Sequence, residues 1–77
     1  MLMSNYGVNP ILVSSSNVRA IGYDETENVL YVEFLNNTLY TYKGVPATAF
    51  EELKIASSVG SFLHRNIKNL YPYERIA

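Results

Sequence analysis

Residues 57–61, Ser-Ser-Val-Gly-Ser, have the composition of an anion-binding site at the start of a helix. A helix N-terminus offers free backbone N–H groups, a glycine lets a ligand approach closely, and serine hydroxyls donate hydrogen bonds. The run predicts a phosphate site formed by Ser58, Gly60 and Ser61, although plain helix capping uses the same residues. The side chains that could add positive charge or a polar contact to this site are Arg19, His64, Arg65 and Lys68.

Tyrosine is the second residue type that could do chemistry, because the chain has seven tyrosines and no tryptophan. A tyrosine ring can stack on a nucleic-acid base while its hydroxyl forms a hydrogen bond. For Tyr40 and Tyr42 the alternative interpretation is a place in the hydrophobic core. Tyr71 and Tyr73 flank a proline, and exposure on a surface or interface is as compatible with that position as burial. All four are predicted ligand-binding residues.

Catalysis has little support in this sequence. His64 is the only histidine, and Ser61 could share its helix face, but such a pair arises easily by chance. The chain has no cysteine, which excludes disulfides, thiolate chemistry and cysteine-based zinc sites. We therefore expect a non-catalytic protein with no metal and no cofactor.

The charge balance argues against one broad class of function. The chain carries six Lys or Arg and seven Asp or Glu, for a net charge of −1. Proteins that grip nucleic acid through its phosphates usually have a large excess of Lys and Arg, because counterion release supplies much of their affinity. Most of the acidic residues precede residue 53 and most of the cations follow it, so the sequence remains compatible with a local basic patch.

Length and hydropathy limit the architecture to one domain. A chain of 77 residues, 48% of them hydrophobic, is globular, and a domain of this size buries about 60% of its unfolded surface. No apolar run approaches the roughly 20 residues of a membrane span. The first residues also lack the basic segment of a signal peptide, so we expect a cytoplasmic location. Residues 1–13 are predicted to form a flexible or docking N-terminal arm and residues 14–77 a single domain.

Three strands are predicted between residues 17 and 43, followed by two helices near residues 46–55 and 58–69. The middle strand alternates, with Val32 and Phe34 on one face. The helices follow from apolar residues at three- and four-residue spacing. The expected fold is α+β, a small three-stranded antiparallel sheet with two short helices packed on one face.

The hairpin between the second and third strands leaves two registers open. A two-residue loop would turn Tyr40 and Tyr42 away from the core face. A three-residue loop at residues 36–38 pairs Phe34 with Tyr40 and Val32 with Tyr42, which gathers the large apolar surface on one side. We favour the three-residue loop for that reason.

Several short motifs of the sequence occur in a fixed order over residues 14–76: Ser-Ser-Ser-Asn-Val-Arg at 14–19, Gly22-Tyr23-Asp24, Leu30-x-Val32-x-Phe34, Tyr40-x-Tyr42, Val45-Pro46, Ser58-x-Gly60, Ile67 and Tyr71-x-Tyr73. Together they resemble the KTSC family, whose central mark is the Y-x-Y motif. The family is named for the C-terminal domain of some lysyl-tRNA synthetases and includes free-standing small proteins of bacteria and phages. Val59 and His64 depart from the family pattern, which often has a basic residue and an asparagine there.

Three functions follow as hypotheses. The first is non-catalytic recognition of a nucleotide or cyclic oligonucleotide, in a phage as a sponge that sequesters a nucleotide immune signal in the host cytoplasm. The second is an RNA- or tRNA-binding module, which the resemblance implies through its synthetase context. The third is an oligomerising protein-interaction module, because an apolar Ile11-Leu12-Val13 segment and open sheet edges favour a homo-oligomer. We expect the first, because a near-neutral protein suits a small phosphorylated ligand better than a long polyanion.

Overall fold

The structure, a computed structural model, describes residues 2–77. Five strands form one antiparallel sheet in which each strand lies beside its neighbour in sequence, in the order β1-β2-β3-β4-β5. The elements in chain order are a short 3-10 helix Leu2–Tyr6, β1 Ile11–Leu12, β2 Val18–Asp24, β3 Val29–Phe34, β4 Leu39–Lys43, α1 Ala47–Lys54, α2 Val59–Asn66 and β5 Tyr73–Arg75.

The predicted α+β class is confirmed, but the sheet has five strands rather than three. The two additional strands are β1, with two residues, and β5, with three. Such short segments carry no readable alternation, and they become strands because β2 and β4 offer unpaired edges beside them. Both helices are also shorter than predicted. The larger difference is in α2, which ends at Asn66, after which the chain turns toward Pro72.

The hairpin register differs from the predicted one by two residues. Val32 pairs with Tyr40 and Leu30 with Tyr42, and the loop spans residues 35–37. Asn37 has a φ of 66° in this loop, a conformation that asparagine tolerates well. The predicted partners were wrong, but a shift of two residues preserves the side-chain alternation. The two tyrosines therefore lie on the predicted face.

The first face of the sheet packs against both helices and holds the main core. Leu30 and Val32 are fully buried there, together with Leu53 of α1 and Leu63 of α2. Phe34 is only half-buried and packs against the rim of this core. The apolar stripe of each helix faces the sheet, as its three- and four-residue spacing requires.

The N-terminal segment covers the second face of the sheet. Met3 and Val8 are buried against Ala20 and Leu39 in a separate apolar cluster. A Cβ atom added to Gly22 would lie 2.5 Å from Val8 Cγ1 and 2.7 Å from Met3 Sδ, so the glycine makes room for this segment. The sheet thus has helices on one side and residues 2–8 on the other.

A buried carboxylate anchors the same segment. Glu33 is 1% exposed, and its Oε1 accepts a hydrogen bond from the Met3 backbone N–H at 3.3 Å. The Tyr6 hydroxyl donates to the backbone oxygen of Ile76 at 3.2 Å, which ties the segment to the C-terminal residues. These hydrogen bonds fix the orientation of the N-terminal segment, whose other contacts with the sheet are apolar.

Candidate functional site

A serine-rich depression of about 480 Å³ lies where the loop before β2 meets the start of α2. Five of the predicted site residues line it: Ser58, Gly60, Ser61, His64 and Arg65. The other wall is the loop of residues 14–17, whose side chains are all short and polar. The depression thus combines hydroxyl groups, a helix N-terminus and an exposed guanidinium group, which suits an anion.

Part of the hydrogen-bonding capacity at this helix start is already used. The Ser58 side chain caps α2 by accepting a hydrogen bond from the Ser61 backbone N–H at 3.3 Å. A Cβ atom on Gly60 would lie 2.9 Å from Asn17 Oδ1, so the glycine makes room for the neighbouring loop. The serine and the glycine therefore have structural roles, and the exposed groups left to meet a ligand are chiefly the side chains of the rim.

Ser15 organises the opposite wall of the serine-rich depression. Its hydroxyl donates to Asn17 Oδ1 at 3.0 Å and accepts from the backbone N–H of Val18 at 3.2 Å. The Asn17 backbone oxygen in turn accepts from the N–H of Leu35, which connects this loop to the β3–β4 hairpin. These hydrogen bonds hold in place the end of the polar loop that precedes β2.

An aromatic depression of about 560 Å³ lies next to the serine-rich one. Four of the predicted residues line it: Tyr40, Tyr42, Lys68 and Tyr73. The Tyr73 ring, 60% exposed, lies 6.0 Å from the rings of both Tyr40 and Tyr42, and Phe34 meets Tyr40 edge-on at 5.5 Å. Lys68 is the cation of this group and is exposed.

The two depressions share Ser16 and Asn17 in their walls, so one ligand can reach both. Sequence reasoning named neither residue as a site residue, although both belong to the Ser-Ser-Ser-Asn run that carries the family resemblance. A run of polar residues before a strand is typical of an ordinary loop. Its position opposite α2, more than forty residues later in the chain, depends on the sheet bringing the two together.

Two predicted site residues line neither depression. Arg19 is the extra residue of an irregularity in the β2–β3 pairing, between Val18 and Ala20. Its guanidinium donates to the backbone oxygen of Leu35 at 3.1 Å. Tyr71 is half-buried and packs against the main core. The structure therefore gathers nine of the eleven predicted site residues around the two depressions.

Tyr42 is 3% exposed and forms the floor of the aromatic depression, so it is both a core and a lining residue. Burial raises the pKa of its phenol above the ordinary value of 10.0, and the nearby Tyr40 and Tyr73 raise it further. A phenol with a pKa of 10.0 or above is protonated at neutral pH, so this hydroxyl can donate a hydrogen bond.

A protein in which Tyr42 is replaced with phenylalanine is expected to lose less stability than the parent as the pH rises into the alkaline range. A pKa that is raised on folding means that the folded state holds the proton more tightly than the unfolded one. That contribution is complete below pH 10.0 and is lost as the pH rises through the folded-state value. Denaturant unfolding from about pH 8 to pH 11 measures the effect, with Tyr71→Phe as a control at a tyrosine outside the group formed by Tyr40, Tyr42 and Tyr73. Equal alkaline losses in the parent and the Tyr42→Phe protein would contradict the prediction.

Two findings bear on other chemistry within residues 2–77. No group of three or more His, Asp or Glu side chains in this part of the chain is placed to hold a metal ion. No helix among these residues is both long and apolar enough to cross a membrane.

Comparison with known proteins shows the family of this chain. Residues 14–71 match the KTSC domain. An uncharacterised protein of Stutzerimonas stutzeri is 36% identical over 67 residues, which cover 86% of this chain and 94% of that protein. A lysine–tRNA ligase of Nostoc sp. is 37% identical over 60 residues, but this chain spans only 11% of the length of that ligase.

A solved structure has the same fold. The crystal structure of a KTSC domain protein from Yersinia pestis superposes with a TM-score of 0.87 at 33% sequence identity, covering 91% of this chain and 99% of that one. The family match, the relative of similar length and this likeness agree with one another. The chain belongs to the KTSC domain family.

Proposed function

We propose that this protein binds a nucleotide-type ligand without transforming it. The observation that carries the proposal is the adjacency of the two depressions, one lined by tyrosine rings and a lysine, the other by serines and an arginine, with a common wall at Ser16 and Asn17. A nucleotide has the matching division into a flat base and an anionic phosphate.

Each depression suits one part of the ligand. The exposed Tyr73 ring offers a face on which a base can stack, and Tyr42, which lines the same depression, carries a hydroxyl that can donate a hydrogen bond. In the serine-rich depression, Arg65 supplies a planar donor group suited to phosphate oxygens, with His64 and Ser61 beside it. Lys68 supplies a second cation from the aromatic side.

The charge of the chain favours a small ligand over a long one. With a net charge of −1, the protein lacks the Lys and Arg excess that would draw a polyanion from a distance. In the cytoplasm, a binder that does not turn over its ligand would lower the free concentration of that ligand. If the protein comes from a phage, it would act as a sponge for a nucleotide immune signal.

RNA binding is the second candidate, and one observation favours it. A relative of this domain forms part of a lysine–tRNA ligase in Nostoc sp.. Salt dependence separates the two candidates, because the affinity for a polyanion falls steeply with added salt while the affinity for a single nucleotide falls much less. Binding to short RNA only, with a steep salt dependence, would replace the first candidate with the second.

Replacing Tyr73 with alanine is expected to weaken nucleotide binding by about 5- to 150-fold, which corresponds to a loss of roughly 1–3 kcal/mol of base stacking. The matched control is Tyr6→Ala, since Tyr6 is 48% exposed but lies on the opposite face of the sheet. Calorimetric titration with mononucleotides and cyclic dinucleotides measures both variants. Equal weakening in the two proteins would contradict a base site at Tyr73.

The phosphate end of the site needs its own test. Arg65→Ala should weaken binding of a nucleotide more than binding of the corresponding nucleoside, because only the nucleotide carries the anion. Lys54→Ala is the control, since Lys54 lines neither depression and pairs with Glu51 at 2.9 Å. A parent protein that binds no nucleotide and no RNA would overturn the proposed function as a whole.

A further inference from the structure

The sheet has two free edges, β1 on one side and β5 on the other. An edge strand presents unpaired backbone groups on which another strand can pair, and proteins commonly protect such edges with charged side chains. The two edges of this sheet differ in that protection.

The β5 edge carries the charged residues Glu74 and Arg75, both exposed. In a symmetric antiparallel pairing of two β5 strands centred on Glu74, the two Glu74 carboxylates would lie directly opposite each other. Like charges in that position destabilise a strand pair. The β5 edge is therefore protected against pairing with a second copy of itself in that register.

The β1 edge has no such protection. Ile11 is 40% exposed and Leu12 is 68% exposed, and residues 10–18 carry no charged side chain. Ile11 pairs with Ile21, and the Val13 backbone N–H donates to the backbone oxygen of Arg19 at 3.1 Å. Hydrogen-bonded positions alternate along an antiparallel strand, so the N–H and C=O groups of Leu12 point away from the sheet.

We propose that the β1 edge is the surface through which two copies of this chain associate, by antiparallel pairing centred on Leu12. A two-fold axis at that residue sets Leu12 opposite the Leu12 of the second copy, and Ile11 opposite Val13 in both directions. The side chains of residues 11–13, which meet in this register, are all apolar. The pairing joins the two sheets into one continuous sheet of ten strands, twice the five of one copy.

The short length of β1 limits the strength of this dimer. The strand has two residues, and Pro10, which lacks an N–H donor, precedes it. The contact therefore belongs with small, transient interfaces, and its dissociation constant should lie in the micromolar range or weaker. Both depressions lie outside this edge, so association does not depend on the nucleotide proposal.

Single-cysteine variants test the register directly, because the parent chain has no cysteine. Residues opposite each other in a hydrogen-bonded antiparallel pair have Cα atoms about 5.5 Å apart, a separation that a disulfide can bridge. Leu12→Cys should therefore form a disulfide-linked dimer on mild oxidation. Two controls with exposed thiols are Leu70→Cys and Ile55→Cys, which replace side chains that are 68% and 85% exposed. Both should stay largely monomeric.

Sedimentation of the unmodified chain gives a second readout. The parent protein should show a concentration-dependent dimer between micromolar and near-millimolar concentrations, and Leu12→Lys, with an unchanged unfolding transition, should remain a monomer. The proposal is overturned if Leu12→Cys cross-links no faster than Ile55→Cys or Leu70→Cys, or if the parent is monomeric at every concentration.

Discussion

Replacing Leu30 with alanine is expected to lower the free energy of unfolding by about 2–5 kcal/mol. Leu30 is fully buried in the central strand of the sheet, between the strands on either side and the two helices. The loss combines the transfer energy of the removed methyl groups with the cavity that remains. A domain of this kind has a total stability of only about 5–15 kcal/mol, so the variant should be largely unfolded at modest denaturant concentrations.

Two neighbouring substitutions calibrate this prediction. Leu35→Ala, at a loop side chain that is 47% exposed, should cost less than about 1 kcal/mol. Phe34→Ala should fall between the two values, because Phe34 is half-buried at the rim of the core. Denaturant unfolding monitored by circular dichroism measures all three. A cost at Leu30 no larger than that at Leu35 would mean that the strand faces the other way.

Replacing Gly22 with alanine is expected to destabilise the protein by about 1–3 kcal/mol through overpacking. The new methyl group would lie 2.5 Å from Val8 Cγ1, 2.7 Å from Met3 Sδ and 3.2 Å from the backbone oxygen of Asn9. The N-terminal segment must therefore shift away from the sheet. Binding at the two depressions should change little, because they lie on the other side of the sheet from this segment.

A double-mutant cycle identifies the cause of that loss. Val8→Ala removes the side-chain atom nearest to the new methyl group, so Gly22→Ala should cost at least about 0.5 kcal/mol less in the Val8→Ala background. Strictly additive losses would show that Val8 does not pack over Gly22. Thr26→Ala, an exposed position in the β2–β3 turn, serves as a control that should add independently.

The hairpin shows what the alternation of side chains along a strand can predict and what it cannot. Alternation along β3 is enough to assign Leu30, Val32 and Phe34 to one face, because side chains on a strand have a period of two. It cannot choose between registers that differ by two residues, since both keep the same faces. The choice depends on the loop, where Asn37 takes a positive φ and the Phe34 N–H donates to the oxygen of Thr38 at 2.9 Å.

The candidate site also has features that follow from local sequence and features that depend on contacts between distant residues. The helix start at Ser58 can be predicted from the sequence, because capping depends on residues a few positions apart. The wall formed by Ser15, Ser16 and Asn17 cannot, and the structural role of Gly60 depends on its contact with Asn17. Contacts between residues far apart in the chain leave no local pattern to read.

The sequence by itself determined the α+β class, the helix-facing side of the central strands, the two helices and the family, because each follows from local periodicity, capping or ordered motifs. Only the tertiary structure decided that β1 and β5 extend the sheet, that residues 2–8 cover its second face and that the two depressions share a wall. The physical reason is that each of these features depends on surface offered by a distant part of the chain. A two-residue strand or a 3-10 turn has too little local preference to form without that surface.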